Sequence, residues 1–382
     1  MGDVRVKFID WFAGIGGFRR GMELAGHECV GFCEFDKFAT ASYTSMHLLT
    51  DEQRKKLDEL PQKKRQKEIL KDEYRNGEWY ANDVRRVCAD DIPKADCWCF
   101  GFPCQDISVA GKQLGFQGNR SSLFFRVMYL IGQLKEEDKP TYLFIENVKN
   151  LLSVNGGWDF ARLLIEMEKG GYDAEWQVLN SKDFGVPQNR ERCFIIGHLR
   201  GRSTTKVFPV ERADGENHVQ IIGHKDGYRR NTQVFDQNGI TETLDTAQGG
   251  GRGHYVALPC FIDLAYQGKP VTTDVSRTIL ARYYDLANTL DTSCNQGIFV
   301  QVSEELTVYA VWYEKYQCYI AIRRLTPKEC FRLQGWTDDY FEKAEFVNSD
   351  SQLYKQAGNG VTVSVIQAIA EGMKINDAER IS

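Results

Sequence analysis

Phe8-Ile9-Asp10-Trp11-Phe12-Ala13-Gly14-Ile15-Gly16-Gly17 is the stretch whose reading decides the fold class. The run into it, Val4–Trp11, is mostly apolar on both faces, which suits a strand buried between two helix layers. Three glycines then open a tight turn, and Phe18–Ala25 carries a helical pattern. A strand, a glycine-rich turn and a helix in that order let a ligand approach the backbone at the carboxyl end of the first strand of an open α/β sheet. The dinucleotide fingerprint would need another glycine where this chain has Arg19. That departure weakens a pyrophosphate reading, and with it a nicotinamide-dependent oxidoreductase. It favours a cofactor without phosphates, of which S-adenosylmethionine is one. Glu34, at the end of the second strand candidate, is placed to accept hydrogen bonds from both ribose hydroxyls of such a cofactor.

Working outward, short apolar runs alternate with helical stretches over the first 200 residues. Glu28–Cys33, Cys97–Phe102, Tyr142–Glu146, Glu175–Leu179 and Cys193–Leu199 read as strands. Lys37–His47, Ser121–Leu134 and Trp158–Lys169 read as helices. Residues 51–78 differ: nine Lys and Arg face eight Asp and Glu, so a solvated helical insertion is expected, kinked at Pro61. From Arg200 to about Arg324 helical periodicity disappears, and short β-like pieces are broken by Gly, Asn and Asp. Thr326-Pro327-Lys328-Glu329 then gives a helix start, with a capping Thr, Pro at the first position and Glu at the third. A last helix is expected over Val361–Lys374. The organisation expected is a catalytic and cofactor-binding lobe over 1–200, an inserted irregular β-rich lobe over 201–323, and a return over 324–382 that completes the first lobe.

The chain has 382 residues, 42% of them hydrophobic and 26% charged, with 48 Lys and Arg against 53 Asp and Glu for a net charge of −5. These values exclude disorder and fibrous repeats. No apolar run approaches the roughly 18 residues of a membrane helix, and the N-terminus lacks the apolar core of a signal peptide. Eleven cysteines with no Cys-x-x-Cys pair read as reduced thiols in a cytoplasmic protein, and no metal is expected. The charge argues against nucleic acid wrapped over the whole surface but leaves room for a local basic groove.

Three further segments carry chemistry. Phe102-Pro103-Cys104-Gln105 puts a thiol at a strand's carboxyl end, facing the cofactor crevice, where it could act as a nucleophile. Leu143-Phe144-Ile145-Glu146-Asn147-Val148 puts a carboxylate at the tip of the next strand, a position for an acid. Gln188-Asn189-Arg190-Glu191-Arg192 offers two arginines at i and i+2, which in extended chain share one face and could hold a carbonyl oxygen or a phosphate.

Taken in order, Phe12-x-Gly14-x-Gly16-Gly17, Pro103-Cys104-Gln105, Glu146-Asn147-Val148, Gln188-x-Arg190-x-Arg192, Arg324-Leu325-Thr326-Pro327-Lys328-Glu329-Cys330 and Gln356-Ala357-Gly358-Asn359-Gly360-Val361 resemble the motifs of the C5-cytosine DNA methyltransferases. One departure is Gly358-Asn359-Gly360, where the family commonly has Gly-Asn-Ser. The resemblance implies a Rossmann-like S-adenosylmethionine-dependent methyltransferase sheet with a target-recognition domain at about 201–323. It implies Cys104 as nucleophile toward cytosine C6, Glu146 bound to N3 and the exocyclic amine, and Arg192 on O2 with Arg190 beside it. Phe12, Ala13, Gly14, Gly16, Gly17, Glu34, Phe35, Asp83, Val84 and Asn359 would line the cofactor site. Gln105, Ser108 and Arg120 in the loop after Cys104, with Thr243, Leu244 and Thr289 in the recognition lobe, would face DNA. Both Thr243-Leu244 and Thr289-Leu290 qualify as the recognition pair, and Ile240-Thr241-Glu242-Thr243-Leu244 is the closer match. Double-stranded DNA is the expected partner, with a restriction endonuclease for the same site as a further one. A cytoplasmic, nucleoid-associated bacterial or phage monomer is expected. A tRNA cytosine-5 methyltransferase of the same family is the alternative.

Overall fold

Strand β1, Lys7–Trp11, sends Ile9 and Trp11 to one side of a sheet and Phe8 and Asp10 to the other. The structure, a computed structural model, describes residues 5–102, 122–211 and 325–375. Between 221 and 324 it describes the backbone of seven short strands. Six more strands join β1: β2 (Glu28–Cys33), β3 (Trp79–Ala81), β4 (Cys97–Gly101), β5 (Tyr142–Val148), β6 (Tyr172–Asn180) and β8 (Glu191–Leu199), with the two-residue β7 (Gln188–Asn189) set apart. The order is β3-β2-β1-β4-β5-β8-β6. The first five strands run parallel, and β8 enters antiparallel between β5 and β6. The order reverses at β1, so the crevice between the carboxyl ends of β1 and β4 is the place for a ligand.

Both faces of the sheet are covered, as runs apolar on both sides require. Helices α5 (Ser122–Gln133) and α6 (Trp158–Lys169) bring Phe124, Val127 and Leu163 onto Trp11, Trp98 and Phe100. Helix α1 (Gly17–Leu24) brings Phe18 and Met22 onto Phe8 and Phe144 on the opposite face. Trp11 and Trp98 rings lie 4.9 Å apart, and both are almost fully buried. Each aromatic so buried contributes about 1.5–3 kcal/mol relative to exposure.

Helix α2 is shorter than expected, Lys37–Tyr43, and continues as a π turn over Thr44–Leu48. Residues 51–78 form α3 (Asp51–Asp58) and α4 (Gln62–Glu68), broken at Pro61. Arg65 ties them to the far end of the chain by donating to the Phe346 carbonyl at 2.9 Å. Strand β3 was missed, because three half-buried residues give no readable alternation.

The second sheet has the order β13-β14-β15-β12-β10-β9, over β9 (Ile221–His224), β10 (Gln233–Asp236), β12 (Tyr255–Cys260), β13 (Ile298–Gln301), β14 (Thr307–Tyr313) and β15 (Cys318–Arg324). Strand β11, Thr241–Glu242, instead pairs in parallel with β7. The chain then returns as α7 (Pro327–Arg332), α8 (Asp338–Glu345), α9 (Asp350–Asn359) and α10 (Val363–Ala370). Thr326 starts α7 with the expected reciprocal cap: its hydroxyl accepts from the Glu329 amide at 3.2 Å, and its own amide donates to Glu329 Oε2 at 2.8 Å. Helix α10 packs on α1 so closely that a Cβ on Gly21 would lie 2.5 Å from Ile366. The last helix is shorter than Val361–Lys374: it starts after Thr362, whose backbone is extended, and ends at Ala370 with Glu371 as its C-cap.

Among the described residues, no helix is long and apolar enough to cross a membrane.

Candidate active site

The glycine turn after β1 is left-handed at Phe12 (φ 55°), Gly14 (φ 57°) and Gly16 (φ 86°). For Phe12 this is an uncommon conformation that surrounding structure must hold in place. A Cβ on Gly14 would meet nothing within 4 Å among the described residues, which leaves this side of the turn room for a ligand. A Cβ on Gly17 would lie 2.6 Å from Val361, so this glycine lets the last motif pack against the turn. Ala13 closes the base, its amide donating to the Cys33 carbonyl at 3.0 Å.

Glu34, just past β2, accepts from the Gly14 amide on Oε2 and from the Asp36 amide on Oε1, both at 2.7 Å. Burial pushes its carboxyl above the ordinary value, and the backbone amides of Asp36, Gly14 and Phe35 act in the opposite direction. One donor on each oxygen leaves each a further acceptor direction. Beside it Phe35 is 69% exposed, at the edge of a cavity of about 490 Å³ also lined by Trp79, Tyr80, Asp83, Arg85 and Val87. Val84 is buried. Asp83 is held by Arg85, whose Nε and Nη2 approach its two oxygens at 2.8 and 2.7 Å, and this pairing keeps its carboxyl below the usual range. Asp36 accepts from Lys355 Nζ at 2.6 Å, which ties the start of α2 to α9. Asn359 is exposed at the end of α9.

On the other side of the crevice, β4 and β5 pair in parallel with Gly101 opposite Glu146. A Cβ on Gly101 would lie 3.1 Å from Glu146 Oε2, so the glycine gives the carboxylate room. Arg192 at the start of β8 brings Nε to 3.0 Å from Glu146 Oε1, and both side chains are mostly buried. Asn147 donates to the Phe102 carbonyl at 3.2 Å, fixing the backbone where β4 leaves the sheet. Pro103, Cys104, Gln105, Ser108 and Arg120 follow there and lie outside the described residues, as do Thr243, Leu244 and Thr289. Thr243 directly follows β11, the strand paired with Gln188–Asn189.

Arg190 does not share a face with Arg192, contrary to the i, i+2 expectation. Its Nη2 donates to the Gly360 carbonyl at 2.8 Å, and it is 4% exposed. The reason is local. Arg190 falls between β7 and β8, its amide bonded to Asn180 Oδ1, so strand alternation does not run through it. Gln188, also buried, donates to the Leu333 carbonyl at 2.7 Å. Gln188 thus joins this motif to the end of α7 and Arg190 joins it to the last motif, and Arg192 alone of the three meets Glu146.

Asp10 and His47 were missed. Asp10, fully buried, accepts from the Arg19 amide at 3.3 Å and so caps α1, whose own N-cap Gly16 has no side chain. The signal was present: one acid inside an otherwise apolar strand. His47, in the π turn, gave no signal.

The family model described as C-5 cytosine-specific DNA methylase matches residues 6–375. The chain is 30% identical to the Type II methyltransferase M.NlaX of Neisseria lactamica, over 96% of each chain. It is 29% identical to the Type II methyltransferase M.HhaI of Haemophilus parahaemolyticus, over 96% of this chain and 93% of that one. Among solved structures, the Entamoeba histolytica methyltransferase EhMeth superposes with a TM-score of 0.59 at 16% identity, covering 96% of this chain and 97% of that one, a likeness of fold.

Proposed function

Because the chain belongs to the C-5 cytosine-specific DNA methylase family, we propose that it transfers a methyl group from S-adenosylmethionine to C5 of a flipped-out cytosine in a specific double-stranded DNA sequence. The observation that carries the reading is the Glu146–Arg192 pair at the carboxyl edge of β5, beside the strand that runs into Pro103-Cys104. A carboxyl group, which accepts from the exocyclic amine and when protonated donates to N3, held beside a planar cationic donor for O2, matches the N3, amine and O2 edge of cytosine.

The cofactor crevice fits a nucleoside without phosphates. The turn is open at Gly14, Glu34 has acceptor directions left for a ribose, and Phe35 and Asp83 flank a cavity suited to an adenine. Gly16 and Gly17 are backed by protein. Phe12, Ala13 and Val84 would border the ligand and Asn359 would close the far side. Bound there, S-adenosylmethionine supplies an electrophilic methyl group.

The chemistry proposed for this chain's residues begins with the Cys104 thiolate. Its sulfur forms a bond to C6, the ring loses aromaticity, and an electron pair moves toward N3. Glu146, as its carboxylic acid, gives N3 a proton as the electron pair arrives there and accepts from the amine, and Arg192 holds O2. C5 becomes enamine-like and able to take a methyl group. Solvent water then takes the C5 proton, the freed pair re-forms the C5=C6 double bond, the S–C6 pair leaves on the Cys104 sulfur, and the N3 proton returns to Glu146. Arg190 acts indirectly, by holding the Gly358–Gly360 backbone. C6 of a stacked cytosine is out of reach of the Cys104 thiolate, so the base must leave the duplex. Residues 1–200 and 324–382 would form the catalytic lobe and 201–323 the recognition lobe.

Bisulfite sequencing of DNA from a host expressing the chain tests activity, base and target together. Methylated cytosines at one recurring sequence are expected. Unmethylated DNA together with methylated tRNA would move the enzyme to the RNA alternative. Cys104→Ala should abolish transfer while DNA binding persists, and 5-fluorocytosine at the target should trap a denaturant-stable adduct with the wild type. A Cys104→Ala enzyme keeping about a tenth of wild-type turnover would remove covalent catalysis through this residue.

A further inference from the structure

The glycine turn is supported from below by a side chain that lies outside every motif described above. His47 sits in the π turn Thr44–Leu48, where the backbone bond from Leu49 to Thr44 replaces the α-helical pattern. Such turns add a residue to a helix and re-aim its side chains. Here the ring is aimed at the cofactor turn. His47 Nε2 lies 3.0 Å from the Ile15 carbonyl oxygen, and a Cβ on Gly16 would stand 2.4 Å from the same nitrogen. Gly16 therefore lacks a side chain for two reasons, its left-handed φ and the imidazole lying against it.

A carbonyl can only accept, so Nε2 carries the proton and Nδ1 is the bare nitrogen. Nδ1 is buried without a hydrogen-bond partner among the described residues, as suits an unprotonated nitrogen. Burial, and then the nearby Arg19 charge, hold the imidazole well below the ordinary histidine range, so the ring is neutral. It is wedged among Tyr43, Tyr340 and Trp336, at centroid distances of 4.9, 5.5 and 6.0 Å. Ile15, whose carbonyl it holds, is itself buried against the C-terminal helices with Phe331, Trp336 and Leu353.

We propose that His47 is a positioning residue for the cofactor turn: its Nε2–H holds the Ile15 carbonyl, so that Gly14–Gly17 is set before the ligand arrives, and the aromatic wedge links this setting to the C-terminal helices. The strain at Phe12 gives this contact its purpose. A turn that is left-handed at a non-glycine residue relaxes unless its neighbours are pinned, and the Ile15 carbonyl is the nearby backbone group that the ring pins. Pre-setting removes an ordering cost from binding. The contact should therefore tune cofactor affinity and leave the chemical step alone. The proposal rests on the reading of this crevice as the S-adenosylmethionine site.

Titration calorimetry with S-adenosylhomocysteine tests it on the full-length protein. His47→Ala should raise Kd about tenfold. His47→Gln, whose Nε2 can reach the same carbonyl, should recover most of that loss, and it carries the test if the alanine variant does not fold. In methylation assays the cofactor KM of His47→Ala should rise while kcat at saturation stays within about twofold. Met46→Ala, in the same apolar cluster as Ile15, should lower the melting temperature without changing Kd. If His47→Ala binds as tightly as wild type, or if Met46→Ala weakens binding equally, His47 only fills space and the proposal is overturned. Failure of the wild type to bind S-adenosylhomocysteine would instead overturn the cofactor reading, and the proposal with it.

Discussion

Arg192 Nε stands 3.0 Å from Glu146 Oε1, an ion pair made across two antiparallel strands with both side chains mostly shielded from water. The pair keeps the carboxylate oriented, and the guanidinium retains donors for a second acceptor, as the proposed base contacts require. Glu146→Gln preserves shape and removes the carboxyl that the proposed step uses to pass a proton to N3. The turnover number should fall by about 10²-fold or more, while calorimetric affinity for S-adenosylhomocysteine barely changes. A large loss of cofactor affinity with normal kcat would reassign Glu146 to the cofactor crevice.

Glu34 braces the Gly14 and Asp36 amides, and in the proposed cofactor site its remaining acceptor directions would take a ribose. Charge-assisted hydrogen bonds are worth roughly 1.5–3 kcal/mol each. Glu34→Ala should raise cofactor Kd by about tenfold to several hundredfold on the basis of those bonds. An unchanged Kd by calorimetry would remove the residue from the site.

Arg19, the residue that broke the dinucleotide pattern, is a structural cation. Its Nη1 lies 2.7 and 2.8 Å from the two oxygens of Glu78, and its Nε lies 2.8 Å from Glu23. The Arg19 and Glu78 side chains are 9% and 13% exposed. Arg19→Met would leave Glu78 shielded and unpaired, at a cost of about 3–5 kcal/mol. Urea unfolding should show that loss, and adding Glu78→Gln should restore part of it. A loss below about 1 kcal/mol would place the pair with ordinary surface bridges.

Asp10 makes stability depend on pH. Burial pushes its carboxyl well above the usual range, against the opposing pull of the Arg19 amide. A raised folded pKa means the contribution is complete below the unfolded value of about 3.9 and is lost as pH rises toward the folded pKa. Asp10→Asn keeps a carbonyl acceptor for the Arg19 amide and does not titrate. Its stability relative to wild type should climb as pH rises from about 4 and level off above the folded pKa. Urea midpoints at several pH values check this, and a difference that shrinks with rising pH would show that Asp10 is ionised in the folded protein.

Target choice should travel with residues 201–323. Exchanging them for the matching region of a relative should change the methylated sequence, because base-edge contacts specify while phosphate contacts position. A change at Thr243 or Thr289 should cost about 1–3 kcal/mol of discrimination with cofactor binding intact. An active chimera that methylates the original sequence would place recognition elsewhere in the chain.

Local chemistry was legible in the sequence, and partnership across the chain was not. Runs apolar on both faces marked β1, β2, β4 and β5, because a strand between two helix layers has no polar side. Thr326-Pro327-Lys328-Glu329 located α7, because a capping box closes within four residues. The fold class and the residues at the carboxyl ends of the strands followed from such short-range rules. Tertiary structure alone decided that β8 enters antiparallel between β5 and β6, which delivers Arg192 to Glu146. It also sent Arg190 to the Gly360 carbonyl, because Arg190 sits where one strand has ended and the next has not begun. His47 and Asp10 belong with these. Asp10 was marked as the one acid in an apolar strand, but its bond to the Arg19 amide needed the turn's geometry, and His47 reaches the Ile15 carbonyl only through helix packing.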